Sequence, residues 1–449
     1  MGWRAVNWVF FGLIVVSVLT AAFNGTMPKL TEATVMSAKS AVELAIGLIG
    51  QMTLWLGLVG VLREAGLLRT LAHVLKPLMS RLFPEVPPDH PAMGAMILNL
   101  AANVLGLGNA ATPFGLKAMQ ELDKLNTQKG VATNSMALFL AINTACISLP
   151  LTAIGVRASL GSKDPAGIIV PTLIAASFAT FFAVLACKLL ERRPFFALSR
   201  YGPVEIDASK RALPDATALE KAEALAAMAP RTPVWRQLVG ASIGAAIVFA
   251  LVRHVVSSPT SQTAFELTRG ILSDWLLPLL VLTIVTLGFG RQVKVYEAFI
   301  ASAKEGFQTV VSIIPFLVGV LVSIGMFRAS GAMGMLVELL SPIVAPIGFP
   351  PEALPMALIR PLSGSGALGV MSDGLKSYGP DSFVGYFLSV LNGSTETTFY
   401  VLALYFGAVQ VKALRHTLAA CLVSDVMGPV GALIVCKAFF ASAPYITTK

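Results

Sequence analysis

The sequence predicts an all-α polytopic membrane protein with about nine transmembrane spans and two inverted-topology repeats. Three observations predict this fold: the composition, a series of long apolar segments, and one pattern of residues that recurs in both halves. Hydrophobic residues make up 55% of the 449 residues, charged residues make up 13%, and the mean hydropathy is +0.76. Soluble domains carry about 25% charged residues. The composition therefore excludes a cytosolic enzyme, a nucleic-acid-binding protein and a disordered scaffold.

A series of apolar segments is long enough to cross a bilayer, whose hydrocarbon core needs about 20 helical residues. These segments are 4–23, 41–62, 133–155, 166–190, 235–256, 270–288, 307–327, 383–407 and 417–437. The first segment also resembles a signal peptide, with Arg4 as its basic residue and an apolar core over 8–23. Its exit at 21–25 is a poor cleavage site and further spans follow, so we interpret it as a helix.

The distribution of basic residues predicts the orientation of these spans. With a cytoplasmic N-terminus and alternating spans, about two thirds of the 33 Lys and Arg residues lie on the inner side. This bias follows the positive-inside rule. It predicts a multi-pass protein of the cytoplasmic (inner) membrane, with the C-terminus outside. The net charge of +9 is then assigned to cytoplasmic loops and a central linker, and no nucleic acid partner is expected.

One stretch interrupts the apolar composition. Residues 191–234 contain paired basic residues, scattered prolines and a short Ala/Glu-rich run. This pattern is typical of a polar linker. It divides the chain into a first membrane half, 1–190, and a second, 235–449. We interpret the linker as a cytoplasmic tether, with an interaction site as the alternative.

A pattern of residues recurs in the two halves. The tripeptide Ser-Ala-Lys at 37–39 returns at 302–304. Matches at the same offset are Arg63 with Arg328, Gly66 with Gly331 and Pro77 with Pro342. The alternative is chance similarity among apolar helices. An odd number of predicted crossings separates the two copies, so the second copy is inverted. Inverted repeats are typical of secondary transporters, whose sites lie at the midplane where the copies meet.

Each half also contains a Gly-rich apolar segment that is too broken for a straight span. The first, 92–125, carries Asn99, Asn103 and Asn109, and its counterpart, 353–379, carries Arg360. Irregular backbone is tolerated at membrane depth only inside protein or beside a water-filled cavity. We therefore predict two re-entrant hairpins that line a site. Close helix packing is the alternative reading of the small residues.

The span after each hairpin has a polar centre. Asn143 and Thr144 lie in the span 133–155, and the run 392–398 lies in the span 383–407. The Asn-Gly pair at 392–393 predicts an unwound helix, whose free ends and carbonyls can bind a solute or an ion.

Two acidic residues lie in apolar spans. A charged side chain there costs at least about 2.5 kcal/mol unless it is paired or hydrated. Glu396 and Asp425 are such residues, and Arg360 is a candidate partner for either. A structural ion pair and a substrate or coupling-ion site are the two readings.

The predicted site contains no catalytic, metal-binding or cofactor-binding residues. The four cysteines lie in apolar runs without CxxC spacing, and the four histidines are isolated. Phosphate-binding loops and hydrolase motifs do not occur in the sequence, so no enzyme activity is expected. The predicted substrate-binding residues are Asn99, Asn103, Asn109, Asn143, Thr144, Arg360, Ser363, Ser365, Asn392, Ser394, Thr395 and Glu396. Glu396 and Asp425 are the predicted ion-coupling residues.

Three segments resemble known families. Residues 99–119 resemble the signature of spore maturation protein A, and residues 360–369 with 392–400 resemble that of spore maturation protein B. The chain is thus similar to a fusion of the two, joined at 191–234. Both halves are similar to the gate, or nucleoside recognition, domain, which also occurs in concentrative nucleoside transporters and the ferrous-iron permease core. The resemblance implies paired hairpins and broken helices around a central site, and a link to sporulation. It does not identify a nucleoside as substrate.

Three functions remain open from the sequence. The first is a transporter or facilitator of a small polar solute, coupled or not to H⁺ or Na⁺. The second is a translocase for a lipid or an envelope precursor. The third is a non-transporting membrane scaffold linked to spore or envelope maturation. The expected partners are a small molecule or ion and the lipid bilayer, and a homo-oligomer is left open.

Overall fold

The computed structural model describes residues 2–106, 111–201, 233–257, 271 and 275–440. This part of the chain is helical and contains no strand beyond one isolated bridge between Val131 and Ala413. The helices of the first half are α1 (Gly2–Asn24), α2 (Met27–Glu64), α3 (Leu67–Leu82), α4 (Pro91–Val104), α5 (Ala111–Leu125), α6 (Asn134–Ala145), α7 (Leu151–Ser159) and α8 (Ile169–Leu190). The predicted all-α fold is confirmed.

The second half follows the same order. Its helices are α9 (Val234–Val256), α10 (Leu276–Gly290), α11 (Val295–Ala329), α12 (Ala332–Val344), α13 (Leu354–Ile359), α14 (Gly364–Tyr378), α15 (Phe383–Ser394), α16 (Thr398–Ala408) and α17 (Thr417–Phe440). Helices α2 to α8 correspond in order to α11 to α17. Most of the predicted linker, 202–232, lies outside the described residues.

Three described helices are each long and apolar enough to cross a membrane. They are Ala166–Leu190, Val234–Val256 and Thr417–Phe439. A fourth candidate is the pair Leu321–Ala329 and Ala332–Pro342, which is bent by 82°. Large apolar side chains on these helices are exposed, including Phe181, Phe249 and Ile434. Exposed apolar faces of this kind suit a lipid environment, and the chain is a multi-pass membrane protein.

Two predicted spans are broken helices. Residues 133–155 form α6 and α7 around a break at 146–150, and residues 383–407 form α15 and α16 around a break at 395–397. A helix of 12 residues is only about 18 Å long, too short to span a bilayer alone. The break in the second half was predicted at the Asn-Gly pair 392–393, and this position is wrong because both residues lie inside α15.

Gly393 has a packing role instead of an unwinding one. A Cβ atom there would lie 2.4 Å from Thr172 Cγ2 and 3.3 Å from Pro150 Cβ. The glycine therefore allows α15 to approach both α8 and the break of the first half.

The predicted hairpins are also helical pairs. Residues 92–125 contain α4 and α5, and residues 353–379 contain α13 and α14. In both hairpins the first helix ends in the middle of the Gly-rich segment, and the second begins after a short connection. Each hairpin lies against the broken helix of its own half through the contacts described below.

Helices α2 and α11 pack against each other in opposite directions. A Cβ atom at Gly60 would lie 2.0 Å from Ser302 Oγ, near the start of α11. One at Gly325, near the end of α11, would lie 2.0 Å from Ser37 Oγ. Contacts that pair the end of one helix with the start of the other define an antiparallel pair. This is the orientation that an inverted repeat requires.

Candidate functional site

The two breaks contact each other directly. The backbone N–H of Glu396, in the break of the second half, donates to the carbonyl of Thr144 at 2.7 Å. Thr144 lies in the last turn of α6, one residue before that helix ends. Helix ends present unpaired backbone groups, and here a group from one repeat binds a group from the other. This bond joins the two breaks across the two halves of the chain.

Arg360 binds the end of the broken helix α15. Its Nε donates to the carbonyl of Asn392 at 2.9 Å, and one terminal nitrogen donates to the carbonyl of Thr395. The other terminal nitrogen lies 3.3 Å from Thr397 Oγ1. The last carbonyls of a helix carry the negative end of its dipole. The buried guanidinium, 7% exposed, therefore stabilises the broken end that hydrocarbon could not solvate.

Glu396 is the accessible acid of the site. Its Oε2 lies 3.5 Å from a terminal nitrogen of Arg360, and its side chain is 44% exposed. The predicted pairing of Arg360 with an acid is thus seen with Glu396. Because the guanidinium is already shared among three backbone and hydroxyl oxygens, the carboxylate keeps capacity to accept further hydrogen bonds.

The first hairpin contributes a pair of amides. Asn103 Nδ2 donates to Asn143 Oδ1 at 3.0 Å, and Asn143 Nδ2 donates to the carbonyl of Phe139 at 2.9 Å. The first bond holds the end of α4 against α6, and the second fixes the Asn143 side chain to its own helix. The Asn103 side chain is partly buried, whereas Asn143 is 4% exposed.

Asn99 joins the two helices of the first hairpin. Its Nδ2 donates to the carbonyl of Ala111 at 2.9 Å and lies 3.3 Å from Tyr405 Oη, which comes from α16 in the other half. The side chain is fully buried. Its amide thus holds α4, α5 and α16 together, and the structure does not place it on an accessible surface.

Several of the predicted hydroxyl groups serve their own helices. Ser363 Oγ accepts from the N–H of Gly366 at 3.0 Å and caps α14. Thr144 Oγ1 and Ser394 Oγ donate to the carbonyls of Ala141 and Leu391. These local bonds use one donor or acceptor site of each hydroxyl and orient it toward its own helix.

The remaining predicted residues divide into accessible and buried positions. Ser365 and Asn392 are partly buried, and their side chains make no hydrogen bond within the described part of the chain. Thr395 is 3% exposed. Asn109 lies outside the described residues.

Asp425 lies beside the second break, on α17. Its Oδ1 accepts from Thr398 Oγ1 at 2.9 Å, and Thr398 is the first residue of α16. Its Oδ2 is buried and has no hydrogen-bond partner within the described residues. The described ion pair of Arg360 is with Glu396 and not with Asp425. The two acids of the site therefore occupy different environments.

Sequence reasoning missed the arginines that join the two halves. The Arg157 clamp comprises Arg157, 1% exposed, with its acceptors: the carbonyl of Pro380 at 2.5 Å and Asp381 Oδ1 and Ser162 Oγ at 3.0 Å each. Arg157 lies in the last turn of α7, the second part of the first half's broken helix, and Pro380 and Asp381 precede the broken helix of the second half. In the sequence, Arg157 comes two residues after the predicted span 133–155.

A second clamp lies at the other end of the two broken helices. The Arg415 clamp comprises Arg415, which follows the second broken helix, and the carbonyls of Ala132 and Phe196, both at 2.8 Å. Ala132 precedes the first broken helix. Each half thus binds the entry of the other half's broken helix. A recurrence of arginine after each broken span was the available signal.

No metal centre is formed by the described residues, since no group of three His, Cys, Asp or Glu side chains lies close enough to hold an ion. All four cysteines are buried and free. The polar groups that the fold gathers are hydrogen-bond donors and acceptors with one accessible carboxylate. Such a set suits reversible binding of a small polar solute.

Known proteins show similarity in both halves. A family model described as Gate, nucleoside recognition, matches residues 45–163 and 310–412. Spore maturation protein A of Bacillus subtilis (strain 168) is 42% identical over 181 residues, which is 40% of this chain and 92% of the relative. Spore maturation protein B of the same organism is 45% identical over 172 residues, which is 38% of this chain and 97% of the relative.

One solved structure aligns with almost the full length of this chain. The YdaH transporter of Alcanivorax borkumensis, whose crystal structure was described as having an unusual topology, aligns over 97% of this chain and 98% of its own. The sequence identity is 13% and the TM-score is 0.39. By the two matched regions and the coverage of both relatives, the chain belongs to the Gate (nucleoside recognition) family, and it combines parts similar to spore maturation proteins A and B.

Proposed function

We propose that this protein moves a small polar solute across the cytoplasmic membrane and binds it where the two breaks meet. The observation that carries the proposal is the exposure of the Glu396 carboxylate. A carboxylate 44% exposed lies beside the ends of two broken helices in an apolar protein. A charged group in such a position is costly unless water or a polar solute reaches it.

The accessible polar groups have the roles of solute ligands. Glu396, Asn392 and Ser365 would contact the solute from the second half, and the Asn103–Asn143 pair would do so from the first. Arg360 would position them by holding the end of α15. Both halves then contribute to one site, as expected for a solute bound between inverted repeats.

Movement of one repeat against the other would expose the site to the two sides in turn. The Arg157 and Arg415 clamps tie the entries of the broken helices and would open alternately. We place the N-terminus in the cytoplasm and the C-terminus outside, as the distribution of basic residues predicts. Coupling to H⁺ or Na⁺ would use one of the two acids of the site.

A ligand screen tests this function. Purified protein is screened by thermal shift against nucleosides, amino acids, dicarboxylates and cations. We expect at least one solute to stabilise the protein, and Glu396→Gln or Asn392→Ala to weaken its binding about tenfold or more, since a hydrogen bond to a charged group is worth about 1.5–3 kcal/mol.

Glu352→Gln is the matched control because Glu352 is also partly buried but lies outside the site. The Glu352→Gln variant should bind the solute with the same affinity as the unmodified protein. Uptake of the same solute into proteoliposomes should follow the binding data. A scaffold would bind none of the solutes and would tolerate all three substitutions, and that result would refute the proposal.

A further inference from the structure

We propose that Asp425 is the ion-coupling site of this protein and that the ion it binds is a proton. The proposal rests on the proposed transport function, since coupling requires a transported solute. It separates the two acids of the site: Glu396 faces the solute, and Asp425 exchanges a proton.

The first argument is the incomplete bonding of the carboxyl group. Asp425 is 8% exposed, and Thr398 is the single hydrogen-bond donor that reaches it among the described residues. Oδ2 is buried without a partner. A buried carboxylate needs several donors or a counter-ion to remain charged, whereas a carboxyl group that has taken up a proton is neutral. One oxygen of Asp425 thus has a donor, and the other is placed to carry the proton of the neutral form.

The second argument is the absence of a full counter-ion. Arg360 acts electrostatically on Asp425, but its guanidinium is committed to the end of α15 and to Glu396. The other titratable or charged side chains on α17 and on the helices packed against it are Cys187 and Lys188 on α8, Tyr386 on α15, Tyr400 and Tyr405 on α16, and Cys421, Cys436 and Lys437 on α17. Lys437 lies twelve residues after Asp425 on the same helix, about 18 Å away along its axis. Lys188 lies in the last turn of α8 and is paired with Glu191 at 3.5 Å.

The third argument concerns the identity of the ion. A metal cation would require a cage of several oxygen ligands. The described residues contain no group of three His, Cys, Asp or Glu side chains that could hold a metal ion. A proton needs no cage, because it forms a covalent O–H bond with the carboxylate. The proton is taken from water on one side of the membrane and returned to water on the other.

The position of Asp425 connects the proton to the solute site. Thr398 directly follows the break at 395–397, and a Cβ atom at Gly428, one turn after Asp425, would lie 2.5 Å from Thr395 Cγ2. A rearrangement of the break on solute binding would therefore move the donor of Asp425. The two sites would then be coupled, and by linkage each ligand changes the affinity for the other by the same factor.

Labelling with a hydrophobic carbodiimide tests the proposal without a known solute, because this reagent reacts with protonated carboxyl groups in apolar surroundings. The full-length protein in detergent is labelled across a pH series, and the modified peptides are measured by mass spectrometry. We expect Asp425 to be labelled at neutral pH and labelling to fall as the pH rises. In Glu352→Gln the profile should be unchanged.

Thr398→Val supplies a change of known sign. The Thr398 hydroxyl donates to the carboxylate and favours the charged form, so its loss should extend the labelling of Asp425 to higher pH. Infrared spectra should show a protonated carboxyl band that Asp425→Asn removes. Absence of both label and band at every pH, or an unshifted profile in Thr398→Val, would overturn the proton site. Neither result would affect solute binding at Glu396, so the two proposals fail separately.

Discussion

At the scale of single residues, Gly115 decides how closely the two halves approach. A Cβ atom on this residue of α5 would lie 2.2 Å from Tyr405 Oη and 2.9 Å from Asn99 Nδ2. These are the groups that join the first hairpin to α16. A side chain at this position must displace the buried ring of Tyr405, because the nearest atoms belong to that rigid ring and not to a flexible side chain.

We therefore expect Gly115→Ala to lower the free energy of unfolding by about 1–3 kcal/mol, as overpacking of a core does. The measurement is denaturant or thermal unfolding of the purified protein. Gly94→Ala is the control, since Gly94 lies in a helix and a Cβ there meets no heavy atom within 4 Å. That substitution should leave stability equal or raise it by up to about 1 kcal/mol. Equal losses in the two variants would contradict the packing described for Tyr405.

Residue types predicted the location of the site better than the direction of each side chain. Polar and charged residues in apolar spans indicated Arg360, Glu396 and Asp425 because burial of such groups is costly anywhere in a membrane. Whether a hydroxyl faces a solute depends on whether a backbone group of its own helix lies close enough to bind it instead. Ser394 donates to the carbonyl of Leu391 in its own helix, and Asn99 is used between helices. The amino-acid sequence alone does not show which of these hydrogen bonds forms.

At the scale of elements, Arg360 shows how a broken helix is stabilised inside a membrane. The planar guanidinium reaches two carbonyls and one hydroxyl at the end of α15. A lysine would keep the charge but could not match this fork of donors.

We expect Arg360→Lys to lower the free energy of unfolding by about 2 kcal/mol, from one or two lost charge-assisted hydrogen bonds. It should also weaken binding of any solute found in the screen, because the end of α15 would move. Arg328→Lys is the control, since the Arg328–Asp373 pair is more exposed and contributes about 1 kcal/mol or less. Unfolding and ligand titration measure both effects. A loss for Arg360→Lys no larger than the control would contradict its role as a cap.

The broken spans were predictable as elements but not in detail. Clusters of Asn, Thr and Pro in an apolar run cannot continue a lipid-facing helix, so the existence of two breaks follows from composition. Their positions depend on contacts. Asn392 and Gly393 remain helical because the glycine is used for close packing against Thr172, and the chain unwinds a few residues later, where Arg360 can bind the carbonyls.

At the scale of the whole molecule, the two clamps mark the two ends of the broken helices. Lys163 lies beside the Arg157 clamp, where its N–H donates to Asp381 Oδ2. Lys412 lies beside the Arg415 clamp, where its N–H donates to the carbonyl of Gly130. Both side chains are exposed. The inverted arrangement requires them to lie on opposite sides of the membrane.

We expect Lys163→Cys to react with a membrane-impermeant maleimide from outside intact cells, and Lys412→Cys to react only after permeabilisation. The four native cysteines are buried, so background labelling should be low. Reaction of both residues from one side would contradict the inverted repeat. Reaction with the sides exchanged would preserve the repeat and reverse the orientation assigned from the basic residues.

The overall architecture was the most predictable level. The recurrence of Arg63 with Arg328 and of Pro77 with Pro342, separated by an odd number of crossings, predicts antiparallel copies, and α2 and α11 are antiparallel. What could not be predicted is that the halves interlock. The pairing of Gly60 with Ser302, and of Arg157 with Asp381, joins positions far apart in the chain, and no local pattern encodes such contacts.

The interlocked halves also constrain how the protein is made. Arg157 is synthesised more than 200 residues before Asp381, and translation proceeds at about 5–20 residues per second. For roughly 10–45 seconds the nascent first half therefore lacks the acceptors that Pro380 and Asp381 supply to Arg157, and the helix that packs on the glycines of α2. Folding of the first half, and not only transport, then depends on synthesis of the second half. Because both halves belong to one polypeptide, the second half is always inserted beside the first.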